Sequence, residues 1–363
     1  MNFSGSYRGE DVNFLLKQLP IQDFVEVTEK ERLIQSGLRH YSEMLSPEKL
    51  PSSRYLQVFQ AACTANQEQM AQDCLMLAAL IDRNRSGNIT LVSLARAGTP
   101  VGVILKHLLE KIFGRIVKHY SVSIVRDKGI DAVALRYILA EGHRPESIVF
   151  IDGWTGKGVI SRELKTSVAQ FNESHDVKID TGLYVLADLA GTAACAASSM
   201  DYLIPSSILN ATVSGLISRS ILNDDIGPND FHGCVFYKQF EPHDQSRDFA
   251  AGLIKAATDL VAKSGVPAPE SADKNAAAAI STNYIKEAMI QYGIQDVNLI
   301  KPGLGEATRV LLRRVPRLLI LRTPNSPHVN HLQVLSEEKN VPVLVDPNLP
   351  YEAVSLIGSA LDG

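Results

Sequence analysis

The sequence predicts an α/β protein in which a parallel sheet with helices is followed by a second, smaller α/β region. Apolar runs of strand length at 89–94 and 147–151 are each followed by a loop that contains glycine and then by a helical pattern. Helices and strands also alternate over about 80 residues beyond a stretch rich in Pro and Ala at 266–273, which suits a small α/β/α sandwich.

The first strand–loop–helix unit ends in a helix at 101–112, whose apolar residues recur at helical spacing. Thr99 is the expected N-cap of this helix, and Pro100 fits its first turn. Arg96 and the free N–H groups that follow Gly98 are expected to face an anion, so this loop is the first anion loop. The alternative is a capped helix that carries a surface arginine.

The second unit has a loop richer in glycine, 153–158, between its strand and a helix at 159–171. The backbone N–H groups of such a loop and the positive end of the helix both attract an anion, so this is the second anion loop. Asp152 precedes it. Because a carboxylate repels phosphate, this acid suggests a ribose diol or a bound metal. The loop matches neither the Walker motif nor the dinucleotide fingerprint, and an ordinary β-to-α connection is the alternative.

A third strand at 121–125 ends in the charged turn 126–131. Ligands of open α/β sheets bind beyond the carboxyl ends of the strands, so two anion loops suit one ligand with two phosphate groups.

Asp188, at the end of an apolar strand at 183–187, is a further candidate for substrate contact, although Asp commonly ends strands. The sequence alone predicts a helix with a surface arginine at 214–219.

Several of these motifs together resemble one family. Segments 96–100, 126–131 and 150–158 are similar to the phosphoribosyltransferase-like proteins of tellurite-resistance-associated gene clusters. Those proteins join a phosphoribosyltransferase domain to a C-terminal Pelota-type RNA-binding domain. The resemblance covers nearly the whole chain and also includes 5–7, 11–16, 40–44 and 214–219.

The resemblance implies a fold and a division of the chain. The fold is a type I phosphoribosyltransferase-like parallel sheet with helices on both faces, plus a small C-terminal α/β/α sandwich. The expected domains are a phosphoribosyltransferase-like domain at 1–264 with an N-terminal cap at 1–60, a linker at 265–278, and a Pelota-like RNA-binding domain at 279–363.

The activity implied by the resemblance is a Mg²⁺-dependent transfer or removal of a ribosyl phosphate, with phosphoribosyl pyrophosphate or a related nucleotide as substrate. Asp152, which would reach the ribose hydroxyls, and Arg96, which would hold the pyrophosphate, are the expected catalytic residues. Mg²⁺ would bridge substrate oxygens, so no protein ligands to the metal are assigned. The other expected substrate-binding residues are Ala97, Gly98, Thr99, Arg126, Gly129, Asp131, Gly153, Thr155, Gly156, Lys157 and Gly158.

One departure from the family pattern keeps an alternative open. Gly153 stands where the family carries a second acid. This replacement allows a different ribosyl phosphate or nucleotide as substrate. It also favours a second hypothesis, a non-catalytic regulator that binds nucleotides or RNA.

The C-terminal third carries a resemblance of its own. Segment 303–309 is similar to the Gly-x-Asn-Glu-x-Thr-Lys/Arg motif of the kink-turn-binding ribosomal proteins and the Pelota domain. The resemblance implies that Gly303, Gly305, Glu306 and Arg309 contact RNA, with Gly305 in place of the usual Asn. It also implies a closing strand at 341–344 and a second RNA-facing loop at 347–349.

Cations concentrate around this motif, with six Lys or Arg and one Glu from 301 to 322 in a chain of net charge −4. Such a concentration suits a phosphate backbone, and a solvated helix face is the alternative. The expected helices of this region are 284–292, 305–314 and 331–339, and its expected strands are 297–300, 318–321 and 341–345.

A cysteine protease is the third hypothesis, because relatives of this family are also described in that way. Such an enzyme needs a thiolate and a histidine within hydrogen-bond reach. His232 and Cys234 lie two residues apart in a strand-like segment at 233–237 and can share a face. Cys195 lies among alanines, in the setting of a packing helix. No Cys-x-x-Cys pattern, which would favour zinc or redox chemistry, occurs among Cys63, Cys74, Cys195 and Cys234.

The composition favours a globular protein. The chain has 363 residues, 45% hydrophobic and 21% charged, which allows two domains with sizeable cores. With neither a secretory pattern at the N-terminus nor an apolar run of ~18 residues, a cytoplasmic protein without a membrane span is expected. His328 and His331 have helical spacing, but a solvated loop is favoured over a metal site. The oligomeric state is left open, with a homodimer as one option.

Overall fold

The computed structural model describes residues 3–21 and 24–358. The first two residues and the last five, which the predicted domains include, lie outside the described part.

The strands are β1 Asn13–Leu15, β2 Lys17–Leu19, β3 Ile89–Ala95, β4 Val117–Val125, β5 Gly129–Ile130, β6 Ile148–Thr155, β7 Leu183–Asp188, β8 Cys195–Ser198, β9 Gly233–Val235, β10 Ile300–Pro302, β11 Pro316–Leu321, β12 Val343–Val345 and β13 Ala353–Ile357. The helices are α1 Val27–Gln35, α2 Ser53–Asn84, α3 Gly98–Lys111, α4 Ala132–Ala140, α5 Val159–His175, α6 Ser246–Ser264, α7 Lys274–Gln291, α8 Leu304–Arg313 and α9 Asn330–Glu338.

The larger sheet has seven strands in the order β1-β4-β3-β6-β7-β8, with β5 paired to β4. The pairs along this order are parallel, and the short β4–β5 pair is antiparallel. Strands β3, β6 and β7 are largely continuous apolar runs because helices cover both of their faces. The predicted α/β class with a mainly parallel sheet is confirmed, whereas the finer phosphoribosyltransferase topology stays a prediction.

Alternate residues of the central strands enter two separate cores. Val149 and Ile151 of β6 pack with α2, α3 and α6, whereas Ile148 and Phe150 pack with α4 and α5 on the other face. This alternation is the period of two that a strand imposes on its side chains. With both faces covered, the carboxyl ends of the parallel strands form the edge at which polar loops meet.

The C-terminal region has its own four-stranded sheet, in the order β10-β13-β11-β12. Helix α7 packs on one face, where Ala288 contacts the cluster formed by Ile320 and Val354. Helices α8 and α9 pack on the other face, and their apolar side chains belong to the same core as those of α2. The helical layer of the small sheet is therefore joined to the larger region by a hydrophobic contact.

The sequence patterns miss or misplace some elements of the small sheet. Strand β13 pairs with both β10 and β11, so it is central, yet no pattern predicts it. The prediction of a strand at 297–300 is wrong for its first three residues, which form the 3₁₀ helix Val297–Leu299. Helix α7 begins before the predicted 284 because Asp273 caps it, accepting hydrogen bonds from the N–H groups of Asn275 and Ala276.

The predicted helix at 214–219 is wrong. A 3₁₀ helix, Ala211–Val213, ends just before it, and Gly215 and Leu216 then take positive φ angles of 81° and 61°. Such angles interrupt a right-handed helix. Arg219, expected on the surface, is half-buried.

No helix in the described ranges is long and apolar enough to cross a bilayer.

Candidate functional site

The loops that follow β3, β4, β6 and β7 meet at one edge of the larger sheet. The parallel pairing of Ser93 with Ile151 places β3 beside β6, and that of Thr155 with Asp188 places β6 beside β7. The two anion loops are therefore neighbours in space, although more than fifty residues separate them in the chain.

The carboxylate of Asp152 lies at this edge. Its Oδ1 accepts a hydrogen bond of 2.8 Å from the N–H of Gly153. Burial raises the pKa of Asp152 to about 6, and the guanidinium of Arg309 opposes that rise. A carboxyl group with such a pKa is partly protonated close to neutral pH, unlike an exposed one.

The end of β6 is tied to the loop that follows β7. Thr155 Oγ1 donates to Asp188 Oδ1 at 2.5 Å, and both side chains are almost fully buried. Asp188 also accepts hydrogen bonds from the N–H groups of Ala190, Thr192 and Ala193. These bonds close the loop and explain why an acid stands at position 188 without any contact to substrate.

Helix α8 of the C-terminal region lies against the second anion loop. Gly305 is so close to Trp154 that a Cβ there would lie 2.3 Å from the indole ring. The guanidinium of Arg309 lies over the same ring, 4.5 Å from its centroid. Glu306 packs on Gly156, where a Cβ would lie 2.5 Å from its Cγ. Residues expected to bind RNA thus contact residues expected to bind an anion.

Polar contacts strengthen the same interface. Lys157 donates a hydrogen bond to the carbonyl of Val297. Asp201 accepts two, from the N–H of Leu304 at 2.9 Å and from the N–H of Glu352 at 2.8 Å. Burial raises the pKa of Asp201 to about 7. The face that carries the predicted RNA motif is therefore covered in this structure.

The motif also makes internal and packing contacts. Glu306 and Arg309 form an ion pair of 2.7 Å. Gly303 precedes α8 with a φ of 87°, and a Cβ at this position would lie 2.4 Å from Leu189 of the larger region. The glycine is thus required by its backbone angle and by its close neighbour.

Arg96, in the first anion loop, is held by protein groups. Its Nη2 lies 2.8 Å from Glu48 Oε1, and its Nη1 donates to the carbonyl of Ile217 at 2.7 Å. Both side chains of the ion pair are largely buried. The sequence patterns give no sign of Glu48, because it lies in an irregular segment far from the loop in sequence.

The predicted N-cap role of Thr99 is wrong. Helix α3 already begins at Gly98, and Ala97 occupies the N-cap position without a side-chain hydrogen bond. The hydroxyl of Thr99 lies 2.7 Å from that of Ser121 on β4. Thr99 therefore links the helix to the neighbouring strand.

The polar groups of the turn after β4 also bond to other groups of the protein. The N–H of Arg126 donates to the hydroxyl of Tyr41 at 2.7 Å. One oxygen of Asp131 caps α4 by accepting from two N–H groups of its first turn, and the other accepts from the N–H of His232. Gly129 lies in β5.

The four thiols have different surroundings. Burial raises the pKa of Cys63 and Cys234 to about 12 and that of Cys74 even further. Such thiols are poor nucleophiles at neutral pH. In the described residues, His232 and Cys234 form no hydrogen bond with each other, and Nδ1 of His232 lies 2.8 Å from Ser123 Oγ.

Cys195 is half-buried and has polar neighbours. Its Sγ lies 3.5 Å from Nδ2 of Asn84, and its side chain is hydrogen-bonded with the hydroxyl of Tyr184. Arg85 lies 3.5 Å from the same hydroxyl and forms a 2.5 Å ion pair with Asp180. The prediction that Cys195 lies in a packing helix is wrong, since it begins β8, the strand that pairs with β7.

The expected Mg²⁺ stays a prediction, because it would be held by substrate oxygens and not by protein ligands. The described residues contain no group of three His, Cys, Asp or Glu arranged to hold a metal ion. The expectation of a solvated loop is wrong for His331, which is buried in α9 with its Nε2 2.7 Å from Thr308 Oγ1.

Comparisons with known proteins divide the chain into two matched parts. Residues 5–253 match the family model described as tellurite-like stress resistance cysteine protease StiP, and residues 279–359 match the PELOTA RNA binding domain. A protein from Acinetobacter baylyi named cysteine protease StiP is 41% identical over 366 residues, covering 98% of this chain and 94% of the relative.

These matches confirm the expected kinship with tellurite-resistance proteins and the expected Pelota-type domain. They contradict the expected phosphoribosyltransferase activity, because the family and the relative are both named cysteine proteases. The assignment of a phosphoribosyltransferase is therefore wrong. The third hypothesis, a cysteine protease, is the better supported one.

Proposed function

Because this chain belongs to the family of tellurite-like stress resistance cysteine proteases StiP, we propose that it is a thiol-dependent peptidase whose C-terminal region binds RNA. The observation that carries the peptidase proposal is the environment of Cys195. Of the four cysteines, it alone combines partial exposure with two polar neighbours at its sulfur.

The neighbours of Cys195 suit the stabilisation of a thiolate. The amide Nδ2–H of Asn84 points a donor at Sγ, and Arg85 places a positive charge close by through its contact with Tyr184. A donor and a nearby cation both favour the charged form of a thiol. Burial raises the pKa of Tyr184, so its hydroxyl keeps its proton and acts as a hydrogen-bond partner.

The proposed reaction is acyl transfer. Sγ of Cys195 attacks the carbonyl carbon of a peptide bond, the C–N bond breaks, and the leaving amine takes up the proton that the thiol gives up. Water then hydrolyses the thioester, which releases the carboxylic acid and restores the thiol. No histidine appears among the hydrogen-bond partners of Sγ in the described residues, so this site differs from the thiol–histidine pair expected from the sequence, and the donor at Sγ is the Nδ2–H of Asn84.

The RNA-binding part of the proposal is supported by the Pelota match and by the concentration of cations from 301 to 322. The predicted motif faces the larger region, whereas Arg317 is exposed. RNA would therefore meet Arg317 first and reach the motif when the two regions separate. We place the boundary between the regions within 265–278, between the two family matches.

Covalent labelling tests the proposed nucleophile. We expect iodoacetamide to abolish hydrolysis of fluorescent casein in step with alkylation of Cys195, while Cys63, Cys74 and Cys234 remain unmodified in peptide maps. Full alkylation of Cys195 without loss of hydrolysis would overturn the assignment. A Cys63→Ala variant serves as the control, because Cys63 is half-buried as well.

A further inference from the structure

The chain that joins the two regions passes along the outer edge of the larger sheet. Residues 265–273, called here the connecting segment, run from the end of α6 to the start of α7 without helix or strand. Strand β8 is the last in the strand order, so its outer edge has no strand partner among the described residues. The open main-chain groups of such an edge can bind an extended chain.

Two residues of the connecting segment bond to the main chain of β8. The N–H of Ala196 donates to Oγ of Ser271 at 3.2 Å, and the N–H of Ala272 donates to the carbonyl of Ala196 at 3.0 Å. Ala196 is the residue that follows the proposed nucleophile, Cys195. The connecting segment is therefore held on the edge of β8 directly beside the thiol, as an extended peptide would be.

The connecting segment also bonds to the end of α2. Nη1 of Arg83 donates to the carbonyl of Pro269 at 2.7 Å, and Nε of the same arginine donates to Oδ1 of Asn84 at 3.4 Å. Nδ2 of Asn84 in turn lies 3.5 Å from Sγ of Cys195. A second line of contacts thus runs from the connecting segment, through Arg83 and Asn84, to the thiol.

Side chains seat the connecting segment as well. Ala272 packs against the core cluster that contains Ala196, and the N–H of Glu270 lies 3.2 Å from Sδ of Met76 on α2. The sequence at 193–197 is Ala-Ala-Cys-Ala-Ala, so no large side chain keeps an extended chain away from this edge.

We propose that the outer edge of β8 is the substrate-binding edge of the peptidase and that the connecting segment occupies it as an internal competitor. The substrate is then an extended peptide that pairs with the main chain of Ala196 and has small side chains at the places taken by Ser271 and Ala272. This inference rests on the proposed activity of Cys195. It adds what the substrate must displace before it reaches the thiol.

The contacts of the connecting segment are weak enough to be exchanged. Ser271 and Glu270 are exposed, and Val266 is 46% exposed, so most of the segment lies outside the cores. A hydrogen bond of this kind contributes about 0.5–1.5 kcal/mol, and a peptide that pairs with Ala196 replaces the bond it breaks. The segment therefore reduces substrate binding without closing the site permanently.

Two variants weaken the contact by different means. Ala272→Pro removes the N–H that bonds to the carbonyl of Ala196, and Ser271→Ala removes the hydroxyl that accepts from its N–H. In the full-length protein we expect the KM for casein to fall roughly two- to tenfold in each, with kcat unchanged, because the segment competes only for binding. Ala272→Ser keeps the N–H, and Ser264→Ala removes a hydroxyl that bonds within α6, so these are the matched controls.

Alkylation separates this inference from the proposed activity. The rate of iodoacetamide labelling of Cys195 reports access to the thiol whether or not casein is hydrolysed. We expect labelling to be roughly two- to tenfold faster in Ala272→Pro and Ser271→Ala than in the wild type and the two controls. Faster labelling without hydrolysis of casein by any of these proteins would refute the peptidase activity but leave the covering of the edge in place.

Three results would overturn the inference. The first is an equal labelling rate and an equal KM in the wild type, Ala272→Pro and Ser271→Ala. The second is a higher KM in the two variants, which would mean that the segment helps to hold the substrate. The third is a cut within 265–273 that requires Cys195, detected by mass spectrometry, which would make the segment a substrate. If Ala272→Pro loses its native circular dichroism, Ser271→Ala carries the test alone.

Discussion

Cys195 differs from the other cysteines through its neighbours in space and not through its local sequence. Asn84 and Arg85 stand at the end of α2, and Tyr184 stands on β7, so folding alone brings them to the thiol. A run of alanines around a cysteine suggests packing, and the sequence contains no sign of these distant partners. The same limit applies to Arg96, whose place in the loop after β3 could be inferred but whose burial and partner Glu48 could not.

Removal of the Asn84 amide should make Cys195 less reactive. In Asn84→Ala the thiol loses a hydrogen-bond donor at Sγ, so we expect the rate of alkylation of Cys195 to fall roughly two- to tenfold, since such a bond contributes about 0.5–1.5 kcal/mol. The rate of iodoacetamide labelling at fixed pH measures this change, with Asn88→Ala as a control outside the contact. An unchanged rate would remove Asn84 from the proposed site.

Asp201 should make the stability of the interface depend on pH. Its pKa is raised to about 7 by burial, so the folded state binds its proton more tightly than the unfolded state does. Its stabilising contribution is therefore present below the usual carboxyl pKa of about 4 and is lost as the pH rises towards 7.

In Asp201→Asn we expect the decrease in Tm between pH 5 and pH 8 to be smaller than in the wild type. Comparison with the wild type isolates this residue, because Asp73 and Asp152 have raised pKa values of the same sign. Parallel Tm curves for the two proteins would exclude a titration of Asp201 in this range.

At the level of elements, helices and strands could be predicted where their local sequence pattern is strong. Strands β3 and β6 and the helices after them could be predicted, because each is a continuous apolar run or a clear helical repeat. Strand β8 could not, since a cysteine, two alanines and a serine carry no strand preference and become a strand only by pairing with β7. The contact between α8 and the second anion loop likewise depends on tertiary packing, so it could not be predicted from local patterns.

The contact of α8 with the second anion loop should be sensitive to one added side chain. A leucine at Gly305 would collide with Trp154, so we expect Gly305→Leu to move α8 away and expose the indole. Trp154 is the one tryptophan in the sequence, so a red shift of its fluorescence reports the change.

Gly9→Leu is the control for this experiment, because no heavy atom lies within 4 Å of a Cβ at Gly9. We also expect faster tryptic cleavage after Lys263 and Lys274, at the ends of α6 and α7 that flank the connecting segment, in Gly305→Leu. Emission identical to that of the wild type would mean that α8 does not cover Trp154 in solution.

At the scale of the whole molecule, the two regions cover each other's predicted binding surfaces. The predicted RNA motif of the C-terminal region rests on the second anion loop, where Gly305 and Arg309 pack on Trp154. RNA binding through the motif, as proposed, would therefore require separation of the two regions. The sequence shows both surfaces but not their contact, because docking depends on the folded shapes of both regions.

This arrangement gives a direct expectation for RNA affinity. Trp154→Ala removes the surface on which Gly305 and Arg309 rest but leaves the motif intact, so we expect tighter binding of a kink-turn RNA. Electrophoretic mobility shifts at fixed salt measure the affinity, with Ile116→Ala as the control, since Ile116 is an exposed apolar residue. Equal or weaker binding in Trp154→Ala would argue against masking of the motif.

The central claim is that this chain hydrolyses peptide bonds with Cys195 as nucleophile. The most direct measurement is the initial rate of casein hydrolysis by the wild type, Cys195→Ala and Cys63→Ala at equal concentration. We expect the rate of Cys195→Ala to fall to that of the buffer while Cys63→Ala keeps the wild-type rate. Full activity in Cys195→Ala would contradict the claim, as would the absence of hydrolysis by the wild type.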